Sequence, residues 1–119
     1  MIKRHEDITL KLTKEEKILA HNIIPFFEKR TKINQVKSKD VVIEVNNNYN
    51  LKNKFNEVRL RKIINYYRLN SIIPLMSSSN GYYVSYEQKD IDEMYESLNQ
   101  RATSIQECAN GLLKFNLKK

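Results

Sequence analysis

The stretch Val58-Arg59-Leu60-Arg61-Lys62-Ile63-Ile64-Asn65-Tyr66-Tyr67-Arg68 decides the fold. Its apolar residues Leu60, Ile63, Ile64 and Tyr67 fall at i, i+3, i+4 and i+7, the spacing of one buried helical face. At about 100° per residue the opposite face carries Val58, Arg61, Lys62 and Asn65, with Arg59, Tyr66 and Arg68 on its flanks. The stripe belongs in a core, and the opposite face is free to touch something anionic. Arg61 and Lys62 lie opposite the stripe, so truncating both should leave the core intact.

Downstream, Asn70-Ser71 ends the periodic pattern. Ile72-Ile73-Pro74-Leu75-Met76 and Tyr82-Tyr83-Val84 then read as two short strands around Ser77-Ser78-Ser79-Asn80-Gly81. Asn-Gly between β-prone runs signals a hairpin, because tight turns that match strand twist need positive φ. Pro74 cannot donate to a ladder, so its strand is an edge strand or begins there.

Upstream, Ile8, Leu10 and Leu12 alternate weakly and suggest a short extended segment. Thr13-Lys14-Glu15-Glu16 has the form of a capping box, so a helix should begin there. Its apolar side is Ile18, Leu19, Ile23, Phe26 and Phe27. Pro25 lacks an amide hydrogen and clashes with the preceding turn, so it kinks or splits this helix. Residues 31 to 38 read as a polar connector ending in Ser38, a candidate cap. In Asp40-Val41-Val42-Ile43-Glu44-Val45 the β-branched content argues strand, whereas Val41, Val42 and Val45 suit a short helix. Context favours the helix, since a strand there would lack a partner. Asn46-Asn47-Asn48-Tyr49-Asn50 then makes the turn, with Leu51 and Phe55 as buried plugs.

From about Gln88 to Phe115 the chain reads as one long helix, with Ser85 and Gln88 as a second capping box. Ile91, Tyr95, Leu98, Ala102, Ile105, Ala109 and Leu112 recur at alternating spacings of four and three. That heptad seam lets two helices wrap around each other. A helix of this length spans about 40 Å at 1.5 Å per residue, more than a small domain can cover, so part of the seam is expected to pair with a second chain. The expected organisation is therefore a domain over residues 1 to 86 and a dimerisation helix over 87 to 119.

The 119 residues carry a net charge of +7, with one cysteine and only two glycines. The charge is uneven: residues 52 to 68 hold Lys52, Lys54, Arg59, Arg61, Lys62 and Arg68 against Glu57 alone, whereas residues 73 to 119 are slightly acidic. Clustered Lys and Arg form the electrostatic footprint of a polyanion site, because each neutralised phosphate releases condensed counterions. A solvated helix face is the plainer reading of the same cluster. Cys108 excludes an internal disulfide, and no apolar run approaches the roughly 18 residues of a membrane span. The charged start Met1-Ile2-Lys3-Arg4-His5-Glu6-Asp7 lacks the apolar region of a secretory signal, so a reducing cytoplasm is the expected compartment.

Catalytic chemistry is hard to assemble from these residues. His5, His21 and Cys108 cannot close a zinc site without carboxylates. His21 reads as a partly exposed or satisfied helix residue, and Cys108, beside the seam, as a small buried hydrophobe. Asp90, Asp92, Glu93 and Glu96 read as a solvated helix face. No phosphate loop, nucleophile elbow or HExxH helix occurs. Neither an enzyme nor a bound cofactor or metal is expected.

The pattern from Leu60 to Arg68, followed by Ile73-Pro74 and then Gly81-Tyr82-Tyr83-Val84, resembles winged-helix DNA-binding domains. It is most similar to the small winged-helix proteins of bacteriophages and prophages, and the likeness covers roughly residues 13 to 115. The fold this implies is mainly α with a small β-hairpin: a winged helix-turn-helix followed by a long C-terminal helix. In that family the helix before the wing enters the major groove, which maps onto Arg59, Arg61, Lys62, Asn65 and Tyr66. The wing tip maps onto Ser77, Ser78, Ser79 and Asn80. Wings that grip phosphates usually carry Lys or Arg, and none lies between residues 72 and 87 here.

The expected partner is duplex DNA, met by Lys52, Lys54, Arg59, Arg61, Lys62, Asn65, Tyr66, Arg68, Ser78 and Asn80. The chain would act as a homodimeric phage or mobile-element regulator joined through its C-terminal helix. Arg to guanine and Asn to adenine are the bidentate pairings that major-groove geometry permits. The alternative is a protein-binding module, with a winged helix docking on a host protein.

Overall fold

The computed structural model describes residues 11 to 115. The elements are α1 (Lys14–Asn22), α2 (Ile24–Glu28), α3 (Ser38–Asn48), α4 (Glu57–Leu69), β1 (Leu75–Ser78), β2 (Gly81–Val84) and α5 (Gln88–Leu112). The protein is mainly α, with one antiparallel two-stranded hairpin and a long C-terminal helix. The chain runs helix, helix, hairpin through α3, α4 and β1–β2. The chain divides into two compact units after Tyr86. The extended segment expected at Ile8 and Leu10 lies outside the described residues, whereas Leu12 packs partly buried on the core.

Local chemistry accounts for most of the boundaries. The Thr13 hydroxyl accepts from the Glu16 amide at 3.1 Å and the Glu16 carboxylate accepts from the Thr13 amide at 3.0 Å, so the capping box starts α1. Pro25 sits in the first turn of α2, where its missing amide hydrogen costs nothing, and the apolar run is split into two helices rather than kinked. Residues 40 to 45 are helical, within α3. The helix runs on through Asn48, so the turn begins at Tyr49, later than the asparagine run suggested. Asn56 caps α4 by accepting from the Arg59 amide at 2.9 Å.

Two expected caps do not form. Lys37 precedes α3 with no side-chain cap, and Ser38, already in the helix, donates to Glu57 Oε1 at 3.0 Å instead. The α5 helix begins after Glu87 without a side-chain cap, and Gln88 bonds Asp92 at 2.7 Å.

The core of the first unit joins Leu19, Ala20, Ile23 and Phe27 to Val41 and Val45, Phe55, Leu60, Ile63, Ile64, Tyr67, Ile73 and Leu75. All four residues of the α4 stripe are buried. Tyr67 is the largest fully buried side chain; its hydroxyl donates to the Ala20 carbonyl, and burial raises its pKa. A buried donor without that acceptor would be costly, so the bond fixes α4 against α1.

The hairpin pairs Leu75 with Val84 and Ser78 with Gly81, leaving Ser79 and Asn80 as its turn. The connector before α3 joins the sheet: Val36 and Tyr82 exchange backbone hydrogen bonds at 3.0 and 2.8 Å. Gly81 has φ +133°, and a Cβ there would collide with the Val36 carbonyl. Gly81 is therefore needed less for the turn itself than for the close passage of this third segment.

The second unit is α5 and the residues after it. From residue 99 to 110 every side chain of α5 is exposed, Cys108 among them, so the expectation of a buried thiol is corrected. Among the described residues no helix is long and apolar enough to cross a membrane.

Candidate nucleic-acid interface

The helix α4 presents its outer face beside the hairpin. Arg61 and Asn65 are exposed, one helical turn apart on that face. Arg61 lies within electrostatic reach of Tyr82 on β2: burial raises the Tyr82 pKa, while the Arg68 and Arg61 guanidinium groups oppose that rise. Tyr66 is half-buried on the flank, with its hydroxyl 3.1 Å from His21 Nε2. Lys52 and Lys54 are exposed in the connector between α3 and α4.

Three of the cations assigned to this face from sequence are engaged in holding the fold. Arg59 Nε donates to Glu16 Oε2 at 2.8 Å and its Nη2 to Glu15 Oε1 at 3.1 Å. Its Nη1 donates to the carbonyls of Asn53 and Lys54 at 2.7 and 3.1 Å. The Lys62 ammonium donates to Glu16 Oε1 at 2.8 Å. Arg68 reaches the other way, from Nε to the Leu75 carbonyl at 3.0 Å and from Nη2 to Ser77 Oγ at 3.2 Å. Arg59 and Lys62 are thus not free phosphate-binding cations, and Arg68 ties α4 to β1.

The electrostatics follow from burial. Glu16 is 2 % exposed. Burial alone would raise its pKa, yet the Lys62 ammonium, the Thr13 amide and the Arg59 guanidinium together hold it at about 2. Arg59 is likewise desolvated, and Glu16 and Glu15 more than offset this, so its pKa is raised. The Lys52 amide, at 2.8 Å, is the main reason that Glu15 titrates below its ordinary value.

Sequence reasoning missed the approach from α3. A cleft of about 220 Å³ is lined by Lys37, Ser38, Ser77, Ser78, Ser79, Gly81 and Tyr82. It brings the start of α3 next to the wing tip. Ser78 Oγ donates to Gln35 Oε1 at 2.6 Å and accepts from the Asn80 amide at 3.1 Å, so both expected wing residues are held in one exposed turn. Lys37 and Lys39 are exposed on either side of Ser38. The signal was present as Lys37-Ser38-Lys39 at a helix start, but it was masked when those residues were read as a linker and a cap.

The connector between α3 and α4 is also built from polar contacts. Asn46 Nδ2 donates to the Phe55 carbonyl at 3.0 Å, and Asn46 Oδ1 accepts from the Phe55 amide at 2.9 Å. This pair of bonds keeps Phe55, 1 % exposed, in the core and sets where α4 begins.

Of the residues expected at a dimer seam, Ile91 and Leu98 are half-buried, while Tyr95, Ala102, Ile105, Ala109 and Leu112 are exposed in the single chain. Among the described residues no cluster of three His, Cys, Asp or Glu could hold a metal ion. No protein-family model, curated protein or solved structure matches the chain.

Proposed function

We propose that this protein is a sequence-reading duplex-DNA-binding regulator of the phage or mobile-element kind, acting in the cytoplasm by binding rather than catalysis. The observation that carries the reading is the exposed pair Arg61 and Asn65 on the outer face of α4, flanked by the hairpin. An Arg and an Asn one turn apart can address guanine and adenine edges in one major groove. Lys52 and Lys54 on one side, and Lys37 and Lys39 at the start of α3, supply phosphate contacts. The Asp40 and Val41 amides donate to the Lys37 carbonyl, so in the first turn of α3 the Ser38 and Lys39 amides are the ones suited to the same role. Ser78 and Asn80 offer the wing only neutral hydrogen bonds, so the wing would position the protein rather than drive affinity.

The test is titration of mixed-sequence duplex DNA, followed by fluorescence anisotropy across a salt series. Four to five phosphate contacts predict an affinity that falls with a log–log slope of about −4. Absence of binding at low salt, or binding indifferent to salt, overturns the reading.

A second reading, a protein-binding module on the same scaffold, is favoured by one observation. Arg59 and Lys62 are neutralised internally, while large apolar side chains stand in solvent, Ile33 at 96 % and Leu69 at 80 % exposure. Such surfaces suit a protein partner.

A further inference from the structure

We infer that α5 pairs with α5 of a second copy of this chain in an antiparallel sense, with Ala102 of each copy facing Ile105 of the other. The inference is independent of DNA binding and concerns a surface that the DNA reading does not use.

The first observation is that residues 99 to 110 are exposed all round, yet carry only Arg101 and Glu107 as charges. A helix that stays in water normally has a strongly polar face and internal ion pairs. This one, the second half of α5, instead has Thr103, Ser104, Cys108 and Asn110, all weak helix formers. Burial of its apolar side against a partner would add the stabilisation that these residues do not supply. The apolar positions in it form a single seam, and from Tyr95 to Leu112 no seam residue is buried in the single chain.

The second observation fixes the occupant and its direction. Large residues Leu98, Ile105 and Leu112 occupy one set of seam positions, and the small residues Ala102 and Ala109 alternate with them. In a parallel pair each layer meets its own copy, so Ala faces Ala between layers where Ile faces Ile or Leu faces Leu. The large layers would hold the helices apart and leave voids at the alanines. Reversing one helix sets large against small through the middle of the seam, where Leu98 faces Ala109 and Ala102 faces Ile105, while Tyr95 and Leu112 close each end. Two-fold symmetry repeats each pairing on the other side of the axis. The seam is thus complementary to its own reversed copy.

Charge agrees with the same direction. The exposed acids Asp92, Glu93 and Glu96 lie near the start of α5, and Lys114 follows its last turn. A parallel pair sets the acidic ends side by side; in the antiparallel register Glu93 lies level with Lys114 of the other copy, and the helix dipoles oppose.

The test uses the full chain with Cys108→Ser and Lys89→Cys, spin-labelled at the single thiol. Sedimentation should give a dimer at tens of micromolar, and dipolar electron resonance a distance near 43 Å, from about 29 residues of axial offset at 1.5 Å each. A distance within about 20 Å, roughly two interaxial spacings, means a parallel pair and overturns the inference. So does a monomer at that concentration. Ile105→Lys provides the control: Ile105 is 62 % exposed in the single chain, so the variant should keep the unfolding transition of the first unit and sediment as a monomer. A variant that stays dimeric removes Ile105 from the seam and overturns the proposed register.

Discussion

Arg59 Nε and Glu16 Oε2 stand 2.8 Å apart, and both side chains are withdrawn from water. Lys62 completes the arrangement on the other carboxylate oxygen, so one buried acid on α1 accepts from two cations on α4. The charge excess read along α4 is therefore smaller in space than in sequence. Part of it serves to dock α4 on α1, and the remaining cations, Arg61, Lys52 and Lys54, define a narrower face.

Stability should fall in acid because of Glu16. Its pKa is depressed in the folded chain to about 2 from an ordinary 4.5. The contribution is complete above the unfolded value and is lost as pH falls through the folded one. Most of the loss should lie between about pH 5 and pH 2, amounting to about 3 kcal/mol. Thermal melts against pH would check this, and Glu16→Gln should flatten the acid limb while lowering stability at neutral pH. An unchanged acid limb in the variant would assign the loss to other carboxylates.

Asn46→Ala should destabilise the protein by about 2 kcal/mol, because it leaves both the amide and the carbonyl of Phe55 without their partner in a partly buried setting. Asn46→Asp keeps the acceptor and loses the donor, so it should fall between. Urea unfolding of the three proteins ranks them, and an equal loss for both variants would mean that the carbonyl bond carries the effect.

The parts of this fold legible in sequence were those set by short-range chemistry. Thr13 and Glu16 announce a helix start, Pro25 a break, and Leu60, Ile63, Ile64 and Tyr67 a buried stripe, because each depends on residues within a turn or two. What escaped depends on residues far apart in the chain. Nothing near Arg59 shows that Glu16, more than forty positions earlier, removes it from the surface. Nothing near Gly81 reveals Val36. The candidate site suffered most, since an interface is defined by which charges remain unpaired after folding, and pairing across α1 and α4 is a tertiary fact. Ser38 and Ser85 failed as caps because of where the helices begin: α3 starts at Ser38 itself, with Lys37 before it, and α5 starts three residues after Ser85.

Gly81→Ala should cost about 3 kcal/mol. The positive φ is strained for any L side chain, and the added carbon meets the Val36 carbonyl, so relief requires breaking the Val36–Tyr82 bridge. Amide exchange would show the effect locally: protection at Val36 and Tyr82 should drop far more than at Ile63 or Ile64. Uniform loss across these amides would make Gly81 a determinant of global stability alone.

Binding and folding should separate at neighbouring residues of α4. Arg61 is exposed and projects from the face opposite Leu60, Ile63, Ile64 and Tyr67, so Arg61→Ala should change the melting temperature little. If α4 enters the major groove, the same change should weaken DNA binding about 10- to 100-fold, as expected for a bidentate base contact worth about 1–3 kcal/mol. Lys62→Ala reverses the pattern. Its ammonium is spent on Glu16, so its removal should lower stability by about 1–2 kcal/mol and reduce DNA affinity only slightly. The double truncation, harmless to the core in a reading of the helix alone, should be unstable because of Lys62 and inactive because of Arg61. Anisotropy titrations at low salt beside thermal melts of the two single variants decide the matter. Equal affinity for Arg61→Ala and wild type, with both folded, would take α4 out of the DNA interface and leave the protein-binding reading in its place.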